Sequence, residues 1–188
     1  MRKVILFNLV SLDGYFEGEN HGLDWHNVDA EFNEFSHTQL DSAGMLLFGR
    51  GTYLLMAGYW PSAAVLRDDP VIAAAMNRLP KIVFSRTLTN VNWENTRLVK
   101  ENTVEEIRRL KAEPGKDLFI FGSSNLSLTL IRHSLIDEFR ILVNPIVLGS
   151  GTTLFDGIQD RLKLHLLKTQ TFRSGNVLLV YEPVREQS

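Results

Sequence analysis

Apolar residues are distributed along the chain in two ways: short continuous runs, and stripes at helical spacing. The run Val4 to Val10 is apolar at nearly every position, which predicts a strand covered on both faces in the middle of a sheet. Asp13-Gly14 then carries turn chemistry, and Gly18 to Gly22 continues as polar loop. Val28, Phe32 and Phe35 recur at helical spacing behind Asn27, a candidate N-cap, so a helix is predicted from about Val28 to Ser42. Met45-Leu46-Leu47-Phe48 is too short for a helix and stops at Gly49, the pattern of a buried strand. Thr52 to Met56 follows as a short helix broken by Gly58-Tyr59-Trp60-Pro61.

Asp69-Pro70 supplies a cap and a first-turn proline for a helix running through Met76, and Lys81 to Ser85 is a further apolar strand. Thr103-Val104-Glu105-Glu106 has the form of a capping box, with Val104, Ile107 and Leu110 as one stripe before Pro114-Gly115. Asp117 to Phe121 is a strand, and Gly122-Ser123-Ser124-Asn125 leads into a helix bearing Leu126, Leu130 and Ile131. Phe139, Ile141 and Val143 alternate with polar residues, Pro145 interrupts, and Ile146-Val147-Leu148 reads as a further strand running into Gly149-Ser150-Gly151. The last part predicts two strands, near Leu162 to Leu166 and Val177 to Tyr181, joined by a turn at Arg173 to Asn176. Strands alternating with helices predict an α/β fold: a mostly parallel central sheet, helices on both faces and a C-terminal antiparallel hairpin. A single domain over residues 1–185 with a tail at 186–188 accounts for the pattern.

Composition narrows the function. Twenty basic and twenty-two acidic side chains give a formal charge of -2, which argues against a sequence-blind nucleic-acid binder and against a membrane-surface protein. There is no cysteine, so disulfides, thiolate metal sites and cysteine nucleophiles are excluded. No run approaches membrane-spanning length, and a cytoplasmic location is expected. The five histidines lack metal-ligand spacing, and Gly149-Ser150-Gly151 lacks the context of a nucleophile elbow.

The strand ends carry the candidate chemistry. In Phe48-Gly49-Arg50-Gly51-Thr52-Tyr53 glycines lead a strand into a helix, whose first N–H groups and the Arg50 guanidinium suit a phosphate. The same residues also suit an ordinary turn with a surface arginine. Ligands of such sheets bind beyond the carboxyl ends of the strands, so several glycine- and serine-bearing ends converge on one neighbourhood.

Taken together, the strand ends resemble the dihydrofolate reductase superfamily, and within it the reductase domain of riboflavin biosynthesis. Ser11-Leu12-Asp13-Gly14 follows the first strand as in that branch. Phe48 to Tyr53 resembles its phosphate-binding helix start, and Val83-Phe84-Ser85-Arg86 its 2′-phosphate strand end. Phe121-Gly122-Ser123-Ser124 resembles its glycine turn, with Ser123 and Ser124 where consecutive glycines are usual. Asp137-Glu138 through Asn144-Pro145 to Gly149-Ser150-Gly151 resembles its ending.

The resemblance implies NADPH as cofactor, held by Val10, Ser11, Gly14, Gly49, Arg50, Gly51, Thr52, Ser85, Arg86, Gly122, Ser123, Ser124 and Asn125. It implies hydride transfer to a small heterocyclic substrate, most like 5-amino-6-(5-phosphoribosylamino)uracil, and a homodimer paired through the sheet edge. A dihydrofolate reductase and a non-catalytic nucleotide-binding protein of the same fold are the alternatives. The proton donor is unassigned: Asp13, Glu31 and Glu34 are the carboxylate candidates, though Asp13 also suits a turn cap and helical carboxylates are commonly just solvated. Asp24, Trp25 and Trp60 are candidates for a substrate wall and serve equally for packing.

Overall fold

A computed structural model describes residues 1–185; the expected tail at 186–188 lies outside the described residues. The described residues form ten strands, seven of them before residue 145. These seven are β1 (Val4–Ser11), β2 (Tyr15–Glu17), β3 (Ala43–Gly49), β4 (Lys81–Phe84), β5 (Thr96–Val99), β6 (Asp117–Phe121) and β7 (Glu138–Asn144). The two-residue β8 (Thr152–Thr153) and the hairpin β9 (Leu164–Thr171) and β10 (Val177–Pro183) complete the set. The helices are α1 (Ala30–Ser42), α2 (Arg50–Tyr59), α3 (Ala63–Asp68), α4 (Pro70–Arg78), α5 (Thr103–Ala112) and α6 (Ser124–Arg132).

Eight strands form one sheet in the order β5-β4-β3-β6-β1-β7-β10-β9. The first six are parallel, and β10 pairs antiparallel with β7 to append the hairpin. β1 lies in the middle, as its two-sided apolar run predicts, and Val4, Ile5 and Leu6 are fully buried. Its alternate residues serve two cores. Leu6 packs with Ile107 of α5 and Leu126 and Leu130 of α6, whereas Ile5 packs with Leu40 of α1 and Ile72 and Met76 of α4. Helices therefore cover both faces.

Several boundaries differ from those expected. The N-cap of α1 is Asp29, whose carboxylate accepts from the Phe32 N–H at 2.8 Å; Asn27 lies outside the helix and donates through Nδ2 to the Ser174 carbonyl. α2 starts at Arg50 and runs through Gly58 to Tyr59, because packing of Tyr53 into the core outweighs the propensity cost of glycine. The capping box at Thr103 is not formed. Asn102 precedes the helix in a left-handed conformation without a side-chain cap, and the Glu106 carboxylate is taken by Arg97 of β5 and by Arg109. Ile146 to Leu148 is loop rather than strand, and β8 beyond it pairs with β2. β5 and α3 were not anticipated. β5 is half-exposed at the sheet margin, and α3 is a short helix capped by Ser62.

Candidate functional site

The carboxyl ends of β4, β3, β6 and β1 stand side by side along one edge of the sheet. Ser85-Arg86 follows β4, Arg50-Gly51-Thr52 opens α2 directly from β3, and Gly122 to Asn125 leads from β6 into α6. Arg50, Arg86 and Ser123 thus belong to three neighbouring strand ends. Neither α2 nor α6 has a side-chain cap, so both present unclaimed helix-start amides at this edge; α5 is uncapped too, whereas α1, α3 and α4 are capped by Asp29, Ser62 and Asp69. Arg50 and Arg86 are exposed, and neither forms an ion pair among the described residues.

The glycine turn is held by its own serine. Gly122 takes a φ of +70°, the left-handed region that glycine enters without strain, and Ser123 follows at +64° despite its side chain. Its buried hydroxyl accepts from the Gly49 N–H at 2.7 Å, which ties the end of β3 to the turn after β6. Ser85 has a comparable task. Its hydroxyl accepts from the Leu88 N–H at 3.1 Å and from that of Thr87, closing the turn that carries Arg86.

The Ser11 hydroxyl is also committed. It donates to Asp13 at 2.6 Å and accepts from the Tyr15 N–H. Asp13 in turn accepts from the Leu148 and Gly149 N–H groups, at 3.1 and 2.8 Å, joining the first loop to the one before β8. The Ser11 hydroxyl, with these amides, holds the Asp13 carboxyl down to about 2. Asp13 is an anionic loop clasp, unsuited to giving up a proton near neutrality. Val10 is buried against Phe16 and Leu154.

Beside this edge, between α1, α2 and α4, opens a cleft of about 580 Å³, within the usual range for a small-molecule site. It reaches Thr52 and Gly122 of the phosphate-suited turns at one end, and Phe7, Phe32, Phe121 and Trp60 give it an aromatic lining. Of the expected substrate wall only Trp60 lines it. Trp25 donates to the Gly22 carbonyl at 3.1 Å and packs edge-on against His26, while Asp24 is exposed on the loop. Glu31 and Glu34 also lie outside the cleft lining. They line a separate groove between α1 and the hairpin, where Glu31 accepts from the Arg173 N–H at 2.8 Å. Helical rotation is the reason, since Phe32, Asn33, Ser36, Gln39 and Leu40 are the α1 residues that turn to the cleft.

Two cleft residues escaped the sequence reading. Asn8 of β1 is buried and its Oδ1 has no partner among the described residues, and the buried Nε2 of His26 has none there either. Burial holds the imidazole down to about 4, so it is neutral near pH 7. His26 is fixed from far along the chain. The next N–H, that of Asn27, donates to Asn144 Oδ1 at 2.9 Å, and Asn176 donates back to the Asn27 carbonyl at 2.8 Å. Asn8 had a readable signal, a lone polar residue within an apolar run; His26 had none.

The parallel sheet with its appended hairpin is that of the dihydrofolate reductase-like superfamily. Residues 2–178 match the RibD C-terminal domain, and the chain belongs to that family. It is 35% identical over 182 residues to the uncharacterized protein YyaP of Bacillus subtilis, covering 96% of this chain and 94% of that protein. It is 30% identical to YwjB of the same organism, covering 91% of this chain and 92% of that one. A putative riboflavin biosynthesis protein from Shewanella sp. PV-4 superposes with a TM-score of 0.74 at 26% identity, covering 97% of this chain and 99% of that one. The deaminase/5-amino-6-(5-phosphoribosylamino)uracil reductase of Thermotoga maritima shares the fold at 17% identity and a TM-score of 0.70, covering 97% of this chain and 57% of that longer one. Among the described residues no helix is long and apolar enough to cross a membrane, and no three His, Asp or Glu side chains are grouped to hold a metal ion.

Proposed function

We propose that this chain is an NADPH-dependent reductase that passes hydride to a small heterocyclic acceptor, a reaction of the kind carried out by 5-amino-6-(5-phosphoribosylamino)uracil reductase. The observation that carries the reading is the union of two uncapped helix starts and two unpaired arginines with an aromatic cleft that reaches the same turns. A dinucleotide fits these residues. The amides of Arg50, Gly51 and Thr52 and those of Ser124 and Asn125 would hold its pyrophosphate, and Arg86 with Ser85 its 2′-phosphate. Val10, Ser11 and Gly14 would border the nicotinamide end through their backbone. When bound, the reduced cofactor supplies a hydride, and with one proton the acceptor double bond becomes a single bond.

The protein's own contribution is position and dryness. Phe7, Phe32, Phe121 and Trp60 would hold a flat ring and exclude water. His26 Nε2 and Asn8 Oδ1, each buried without a partner, would orient its polar edge. The absence of an α1 carboxylate from the cleft lining sets this arrangement apart from a folate reductase. Exposed Leu166 and Leu167 on the edge strand β9 favour a homodimer through that edge, to be read by light scattering.

The test is a titration of NADPH and NADH followed by cofactor fluorescence. Saturable binding with NADPH preferred supports the proposal. No binding of either nucleotide removes it.

A further inference from the structure

The cleft has one electrostatic character. Among the described residues no lysine or arginine lines it, and its side chains able to carry charge near neutral pH are Glu17, Asp69 and His26. Glu17 already bonds His21 at 2.6 Å, and His26 is kept neutral by burial. The helix starts beside the cleft offer no substitute for a cation. The first turn of α1 holds the Asp29 carboxylate on the Phe32 N–H at 2.8 Å, and that of α4 holds Asp69 on the Ile72 N–H at 3.4 Å. At both of these starts the place where an outside anion would settle contains one of the chain's own carboxylates, and the uncapped starts of α2 and α6 are the ones assigned above to the cofactor pyrophosphate.

Arg140 touches the lining residue Gln39, and its charge is spent elsewhere. Its guanidinium donates to Gln39 Oε1 at 3.1 Å, to Glu138 at 2.7 Å, and lies over the Phe119 ring at 5.3 Å. Arg50 and Arg86 stand at the sheet edge outside the lining. A phosphate monoester carries nearly two negative charges, and in a cleft with apolar walls and two carboxylates it would meet repulsion without a partner. A neutral heterocycle meets the opposite: aromatic faces for its ring, and two buried unpartnered atoms, Asn8 Oδ1 and His26 Nε2, for ring N–H and carbonyl groups.

We infer that the acceptor reduced in this cleft is an uncharged planar heterocycle that carries no phosphate, a conclusion that rests on the reductase reading above. The double bond reduced, which in a 6-ribosylaminouracil is the C=N bond between the exocyclic nitrogen and C1′ of the opened sugar, gains two electrons and two hydrogens, one as hydride from the nicotinamide and one as a proton from solvent, and the nicotinamide is left oxidised. No part of that change requires a phosphate handle.

The experiment compares 5-amino-6-ribosylaminouracil with its 5′-phosphate, by calorimetric titration into the NADPH-saturated protein and by NADPH oxidation. The phosphate should weaken binding at least about tenfold, by a factor that shrinks as salt is raised. Leu55→Arg, at the exposed rim of the cleft, should strengthen binding of the phosphate ester about tenfold and leave the riboside unchanged. An ester that binds the native protein as tightly as the riboside, or gains nothing from Leu55→Arg, overturns the inference. Failure of NADPH itself to bind would instead remove the reductase reading, so the two failures are told apart by the first titration.

Discussion

The Gly49 N–H donates to the Ser123 hydroxyl across 2.7 Å, so the ends of β3 and β6 are joined by a side chain. The residue carries two opposed effects. Its left-handed backbone at φ +64° costs on the order of 1 kcal/mol relative to glycine, and its hydrogen bond to a partly buried amide returns a similar amount.

Two substitutions separate them. Ser123→Gly relieves the backbone and loses the hydrogen bond, so stability should change by less than about 1 kcal/mol. Ser123→Ala keeps the strain and strips the Gly49 amide of its partner, and should cost about 1–3 kcal/mol. Denaturant unfolding of both variants reads the difference. A Ser123→Ala variant as stable as the native protein would show that the hydroxyl contributes nothing to the turn.

How much of this was legible depended on where the determining contacts lie. β1 and β6 announce themselves because both of their faces are buried, and α4 because Asp69-Pro70 is a local signal for a local cap. β5 was hidden because Thr96 to Val99 is short, half-exposed and paired on one side only. The capping box at Thr103 failed for a tertiary reason, the capture of Glu106 by an arginine on another element. The cofactor-suited strand ends could be proposed because glycines and arginines mark them locally. His26 could not, since its position depends on Asn144 and Asn176, more than a hundred residues away.

Arg86 follows β4 on a turn closed by Ser85, outside any ion pair among the described residues. If it reads the 2′-phosphate, Arg86→Ala should weaken NADPH about tenfold or more and leave NADH nearly unchanged. Arg50→Ala, beside the shared pyrophosphate, should weaken both nucleotides alike. Titration of each variant with the two cofactors checks the split, and an unaltered NADPH preference in Arg86→Ala would reassign the 2′-phosphate to another group.

Lys81 is fully buried, and its ammonium donates to the carbonyls of Met76, Asn77 and Leu79 at 2.7–2.9 Å while lying 4.5 Å from the Trp93 ring centre. It thereby closes the C-terminus of α4, which forms one wall of the cleft. Burial lowers its pKa to about 8, against the pull of Glu94. Between that value and the unfolded value near 10.5 the unfolded chain binds more protons, so the Lys81 contribution to stability rises with pH across this window. Lys81→Met should remove that rise and, by taking a donor away from three carbonyls, cost about 2–4 kcal/mol at neutral pH. Unfolding midpoints of both proteins from pH 7 to 10.5 give the comparison. Parallel curves would assign the alkaline slope to other groups.

His26 sets function against stability. Burial holds its folded pKa at about 4, below the unfolded value near 6.5, so below pH 6.5 the unfolded chain takes up a proton that the folded chain refuses. Stability is therefore lost as pH falls through this interval, by up to about 3 kcal/mol in all. His26→Leu removes the titration and a buried unpartnered nitrogen, and should leave stability at pH 7 unchanged or higher while flattening the acid limb. The same substitution takes away one of the two unsatisfied atoms in the cleft, so the acceptor should bind the NADPH complex about tenfold more weakly while NADPH binding itself is untouched. Unfolding curves at pH 7 and pH 5 measure the first effect and calorimetry the second. A destabilised variant would mean that the imidazole makes a contact its unpartnered nitrogen conceals, and unchanged acceptor affinity would take His26 out of the site.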